Sequence, residues 1–114
     1  MNIHWSEQAL SDAEDLRDFI ARDAPAFAEL FVDRVFEAVE RLSDFPMSGR
    51  IVPEFRRPDL REVLLGSYRI VYHVVGDTVS VATVCHAARL LGPQQLSGIT
   101  AVGETKPVRK RPKS

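Results

Sequence analysis

With 114 residues, 45% of them apolar and 27% charged, the chain has room for one small packed core and excludes a second domain. No apolar run approaches the roughly 20 residues that span a bilayer. The N-terminus lacks the basic-then-apolar secretory pattern, and the single Cys85 has no partner for an intramolecular disulfide, so a reduced, cytoplasmic protein without a membrane anchor is expected. The net charge of −1 conceals a split. Residues 1–45 hold eleven acidic and four basic side chains, whereas residues 46–114 hold five acidic and eleven basic. Such a polarised surface suits nucleic acid or an acidic protein partner on its basic side, or two solvated faces that complement each other. A core this small is expected to gain stability from a bound partner.

The chain opens on Asn2-Ile3-His4-Trp5, a short alternating segment that predicts an edge or inner strand, followed by Ser6 as a helix N-cap. Apolar residues at Ala9, Ala13, Leu16 and Ile20 share one helical face and predict a helix from Glu7 to about Arg22. Asp23-Ala24-Pro25 breaks and restarts the chain, since proline fits the first turn of a helix. A second helix follows from Pro25 to about Leu42, with the stripe Ala28, Phe31, Val35, Ala38 and Leu42 widened by Val32 and Val39. So short a connection predicts an antiparallel hairpin. Phe27, Phe31 and Phe36 read as core and interface packing.

Residues 43–58 contain Pro46, Gly49, Pro53 and Pro58, which argue against regular structure. A loop this long in a small domain is often functional. A three-strand meander is predicted next: Leu60–Leu65, Tyr68–Val75 and Thr78–Cys85, joined at Gly66-Ser67 and Gly76-Asp77. The third strand is nearly continuously apolar, so a central position is expected. Gly92-Pro93 punctuates, with a short helix over Pro93–Leu96. The run GETKPVRKRPKS over 103–114 has five basic residues and two prolines. It is read as a disordered basic tail, leaving 1–102 as a single domain. This tail is either a nonspecific contact to nucleic acid or inert. The fold class is α+β, with the helices on one face of the sheet.

Strand alternation turns Ile70, Tyr72 and Val74 to the helices and Arg69, Val71 and His73 to the opposite, open face. Arg69 there either contacts carboxylates of a target or snorkels over apolar sheet. Arg50 can anchor its loop through Glu54 or Glu62. His86 ends the last strand as a hydrogen-bonded histidine or a catalytic group, and Arg89 is expected to be exposed. Arg50, Arg61, Arg69, His73 and Arg89 form the candidate binding set. No metal or cofactor is expected: His4 and His73 lack ligand spacing, Cys85 faces away, and neither a nucleophile motif nor a phosphate-binding glycine loop occurs.

Six segments carry a family resemblance in order: Trp5-Ser6, Phe45-Pro46-x-Ser48-Gly49-Arg50, Val52-Pro53-Glu54, Leu60-Arg61-Glu62, Tyr68-Arg69-Ile70-Val71-Tyr72 and Val84-x-His86-x-x-Arg89. Over about residues 2–91 the chain resembles the RelE/ParE toxin superfamily. The resemblance implies a toxin of a type II toxin–antitoxin system, acting in plasmid stabilization or growth arrest. A cognate antitoxin would hold it inactive by wrapping an extended or helical segment over an exposed apolar groove. That antitoxin would carry a ribbon-helix-helix head, so that DNA contact comes through the complex. Without it the toxin would self-associate as a homodimer.

RelE-type members cut messenger RNA in the ribosomal A site, a chemistry that needs a base, an acid and cations for the crowded phosphate. Arg69 and Arg89 match the two arginines of that pattern, but the chain has no lysine before Lys106 and no tyrosine after Tyr72. Glu54 and His86 are the only replacements, so a nuclease would rest on Glu54, Arg69, His86 and Arg89. The aromatic residue that follows the histidine in such relatives is Ala87 here. ParE-type members lack the nuclease set and block DNA gyrase. The long acidic hairpin, the Gly-Arg loop and the V-x-H-x-x-R ending resemble that branch more. A non-enzymatic gyrase inhibitor is therefore the leading expectation. A ribosome-dependent endoribonuclease is the alternative, and a degenerate toxin that only binds its antitoxin is a third.

Overall fold

The elements of the computed structural model, which describes residues 1–92, follow in chain order: β1 (Asn2–Trp5), α1 (Glu7–Ala21), α2 (Pro25–Arg41), β2 (Arg50–Ile51), β3 (Leu60–Leu65), β4 (Tyr68–Val75) and β5 (Thr78–His86). The expected helix over Pro93–Leu96 and the basic tail over 103–114 lie outside the described residues. The strands form one mixed sheet in the order β1-β5-β4-β3-β2. β1 runs parallel to β5 and the other pairs are antiparallel. The α+β class, the helix hairpin and the meander are as the sequence pattern predicts. β5 is an interior strand between β1 and β4 and largely buried, as its apolar run predicts. One detail differs. The proline-rich loop holds a two-residue strand, β2, because Arg50 and Ile51 pair with Glu62 and Arg61 of β3.

The junction between β1 and α1 is set by Ser6. Its backbone N–H donates to Val81 O at 3.1 Å, and its hydroxyl donates to Ala82 O at 3.1 Å while accepting the Ala9 N–H at 2.9 Å. One side chain thus caps α1 and ties it to the sheet. β1 pairs with β5 only as far as Val81, and α1 packs on β5 beyond that point. There Asp12 accepts a hydrogen bond from the Thr83 hydroxyl. The helix covers a strand edge that would otherwise invite pairing with another chain.

The helical stripes face the sheet as their spacing requires. Ala9, Phe31, Val35, Ala38 and Val39 pack on Ile70, Val81 and Val84, with Leu16 and Ile20 partly buried at the margin. Leu42 closes the lower end against Tyr72 and Val79. Each large side chain buried here contributes about 1.5–3 kcal/mol. Phe27 and Phe36 remain about half exposed, the latter with its ring 4.8 Å from that of Trp5.

Tyr72 also seats the loop after α2. Its ring is fully buried, and its hydroxyl donates to Pro46 O at 2.8 Å while accepting the Gly49 N–H at 3.0 Å. Gly49 lies so close that a Cβ there would come within 2.6 Å of both Glu62 O and the Tyr72 hydroxyl. Gly49→Ala is therefore expected to destabilise the fold by about 1–3 kcal/mol through overpacking. Urea denaturation checks this: the midpoint falls with an unchanged slope, and an unchanged midpoint would mean the loop does not depend on that close approach.

Candidate functional site

The sheet face away from the helices is not open, which corrects the sequence reading. The chain from Val52 to Leu60 folds back over it, and the segment after β5 joins from the other side. Val52, Leu60, Val71, Ala82, Cys85 and Leu91, with Phe55 beside them, form a second apolar cluster. Alternation identifies which side Arg69 faces but cannot reveal what covers that side. Burial raises the Cys85 thiol pKa, leaving it a small apolar residue.

Arg69 lies within this second layer, only 3% exposed. One terminal nitrogen, Nη1, donates to Glu54 Oε1 at 3.1 Å and Glu62 Oε1 at 2.8 Å. The other, Nη2, donates to Glu54 Oε2 at 2.5 Å and to the Arg89 carbonyl. Glu62 has no exposed side-chain surface, and its second oxygen accepts from Arg50 Nε at 2.5 Å. Of the two partners the sequence offered Arg50, the structure contains Glu62. The Arg69 hydrogen bonds outweigh burial and pull the Glu54 carboxyl down to about 2. The same contact with Glu54 holds the guanidinium above its ordinary range. Arg69 Nε has no hydrogen-bond partner.

His73, also 3% exposed, shares this face but belongs to another cluster. Its Nε2 lies 2.8 Å from Asp59 Oδ2, and Arg57 donates to the two Asp59 oxygens at 3.1 and 2.7 Å. The Arg57 contact, more than His73, draws the Asp59 carboxyl down to about 2. Arg61 clasps the loop by donating to Pro58 O at 2.9 Å and Gly49 O at 3.0 Å.

Three candidates are exposed: Arg50, whose Nε is nevertheless held by Glu62, and His86 and Arg89. His86 Nδ1 accepts the Ala88 N–H at 3.1 Å, and its ring meets Tyr68 edge-on at 5.6 Å. Arg89 follows one turn later, with its N–H on His86 O at 3.0 Å. Beside it Leu90 is 83% exposed.

Of the sequence-predicted residues, then, Glu54, Arg69, the Arg89 backbone and, through Glu62, Arg50 come together. Arg61 and His73 hold other parts of the loop, and His86 stands at the end of β5. Sequence reasoning missed Asp59 and Leu90 and treated Glu62 only as a partner for Arg50. The signal for Glu62 was available: it shares a strand face with Leu60, and a carboxylate on a buried face demands a cation. The central cluster pairs two arginines with two carboxylates and leaves no free acid or base in it. Among the described residues no three His, Cys, Asp or Glu side chains gather as metal ligands. No helix among them is long and apolar enough to cross a membrane.

Two expectations follow. Arg69→Met removes one of the two cations on the buried Glu62 carboxylate and, among the described residues, the only side-chain cation on Glu54, leaving Arg50 alone on Glu62. The loss should approach the roughly 3–5 kcal/mol typical of a broken buried pair and lower the melting temperature accordingly. Glu54 and Asp59 have folded pKa values of about 2, below their ordinary 4.5 and 3.8. The stability they contribute is complete above those ordinary values and is lost as pH falls towards 2. Thermal melts should thus weaken on acidification from about pH 5 to about pH 2, and Glu54→Gln or Asp59→Asn should flatten that slope. A wild-type profile already flat across the window would contradict the assignment.

Comparison with known proteins agrees with this architecture. Residues 3–91 match the family model described as the ParE toxin of the type II toxin–antitoxin system parDE. Toxin RelE2 of Caulobacter vibrioides is 33% identical over 89 residues, covering 77% of this chain and 97% of its own. The Y4kP protein of Sinorhizobium fredii is 34% identical over 87 residues, covering 75% and 86%. Among solved structures, a chain from the chromosomal ParDE system of P. aeruginosa superposes with a TM-score of 0.65 at 20% identity, covering 75% of this chain and 95% of that one, a likeness of fold. The match from β1 through the clamped turn after β5 takes in every element described above, and the chain belongs to the ParE toxin family of type II toxin–antitoxin systems.

Proposed function

We propose that this toxin acts without catalysis, by binding DNA gyrase and trapping it with its DNA cut, and that a cognate antitoxin neutralises it. The observation that carries this reading is the state of the residues a ribonuclease would need. Glu54 is bound to Arg69 on both oxygens and its carboxyl sits at about 2, far from the neutral range in which a general base works. Arg69 is buried and its terminal nitrogens are committed to Glu54, Glu62 and Arg89. That leaves Arg89 and His86 as exposed groups, which suits a binding surface better than a catalytic set. In this reading the contact surface is formed by Arg89, His86 and the chain that follows, while Arg50, Arg61, Arg69 and His73 support it from within or beside the loop.

The antitoxin partner is supported by the family and by the fold shared with a chain of the P. aeruginosa ParDE system. We take its DNA-binding head to be a ribbon-helix-helix, and the half-exposed Phe27, Leu30 and Phe36 on α2 to be among the apolar residues it covers. Exposed in its absence, they would favour a homodimer. The name of the Caulobacter relative, Toxin RelE2, favours the second reading, a ribosome-dependent mRNA endoribonuclease, with His86 as its proton-transfer group.

Purified protein incubated with gyrase, ATP and supercoiled plasmid is expected to abolish supercoiling and accumulate protein-linked linear DNA, both reversed by antitoxin. Gyrase left untouched over a wide concentration range would sink the proposal. His86→Gln separates the readings independently. It should weaken toxicity by no more than about tenfold if the protein acts by binding, since glutamine keeps a hydrogen-bonding side chain in the contact surface. Loss of toxicity by about a hundredfold or more, with antitoxin binding intact, would favour the nuclease.

A further inference from the structure

We infer that Glu54 and Arg69 are positioning residues, which grip the backbone on both sides of Leu90 and so fix where Arg89 and Leu90 meet the target. This rests on the toxin reading above, with Arg89 in the contact surface. Residues 87–92, which follow the end of β5 at His86, belong to no strand among the described residues, yet they are held at successive points. Ala87 N–H donates to Ser67 O at 2.7 Å, and Arg89 N–H donates to His86 O at 3.0 Å. Arg69 Nη2 then donates to the Arg89 carbonyl, and Glu54 Oε2 accepts the Leu91 N–H at 3.1 Å. The two halves of one ion pair thereby hold the two ends of a three-residue segment, one from its carbonyl side and the other from its amide side. The Leu91 side chain is buried in the second apolar cluster.

Between these anchors Leu90 is 83% exposed, and the Arg89 side chain is exposed beside it. A leucine displayed on an ordered backbone gains nothing from folding. Presented with an arginine on a segment that is already immobilised, it avoids most of the ordering cost that binding would otherwise carry. The surface it fits is an apolar recess bordered by carboxylates on a protein partner. Glu62 holds Arg69 from the sheet side, so the direction of the grip comes from β3 and β4 and not from the segment itself.

A double-mutant cycle on the full-length protein tests this, with growth arrest after graded induction as the readout. Growth arrest is blind to the target, so it reads the positioning even if gyrase proves to be the wrong one. Arg89→Ala and Glu54→Ala are each expected to raise the protein level needed for arrest by about tenfold, and the double variant by no more than either alone. Glu54→Gln keeps an acceptor for Leu91 and should restore most of the potency. Hydrogen exchange supplies the local signature: in Glu54→Ala the Leu91 amide exchanges faster while the Val71 and Val81 amides stay protected. Should Glu54→Ala fail to fold, Glu54→Asp withdraws the carboxylate from Leu91 while keeping the charge, and should lose potency in the same way. Full potency of Glu54→Ala or Glu54→Asp, additive losses in the cycle, or full potency of Arg89→Ala each overturn the inference. A cycle that behaves as expected while gyrase is unaffected leaves the positioning intact and removes only the target.

Discussion

A guanidinium that has left water must find acceptors for its hydrogens, and in this protein that requirement organises one whole face of the sheet. Arg69 satisfies it at its two terminal nitrogens, with carboxylates from two places, Glu62 on β3 and Glu54 in the loop, and with a backbone carbonyl at Arg89. Sheet, loop and C-terminal segment therefore meet at a single side chain. Such an arrangement adds little to net stability over an apolar substitute, because desolvating the charges offsets most of their attraction. Its consequence is specificity of placement: a loop with three prolines and a segment without a strand partner each have one position in which the buried charges are matched.

The other face is built on different physics. There the helices are held by apolar area, and polar groups appear where a junction must be located. Ser6 ties the start of α1 to β5, the Thr83 hydroxyl donates to Asp12 along the same edge, and Tyr72 reaches through the core to receive Gly49. Apolar packing supplies the magnitude and these few hydrogen bonds supply the register. The long loop then starts from a known point at Gly49 and ends at another where Leu60 joins the sheet, and Arg61 and the Arg57–Asp59 pair brace the stretch between.

For function, the consequence is that a residue set resembling part of a nuclease has been absorbed into structure. Members of one fold can bind or catalyse, and the difference lies in whether charged residues remain free to face a substrate. Here Glu54 and Arg69 neutralise one another beneath the surface, while Arg89, His86 and Leu90 stand outside it. The same cluster that pairs these two groups also holds the backbone on either side of Leu90.

Much of this fold is written in local pattern. Helix spacing at Ala9, Ala13, Leu16 and Ile20, the stripe through Phe31 and Val35, the glycine turns and the alternation of β4 are short-range signals, and each survives intact because burying one face of an element is a periodic demand. The order of segments also carried the family. What local pattern could not contain was the neighbour of each strand and the cover over each face. The parallel pairing of β1 with β5, the two-residue β2 and the burial of Arg69 all depend on where a distant loop comes to rest. Alternation assigned Arg69 to the correct side, yet the side was closed by Glu54, 15 residues away, and by Arg89, 20 residues away. Whether an arginine is a contact or a keystone is decided by such long-range matching of charge, which only the folded chain brings about.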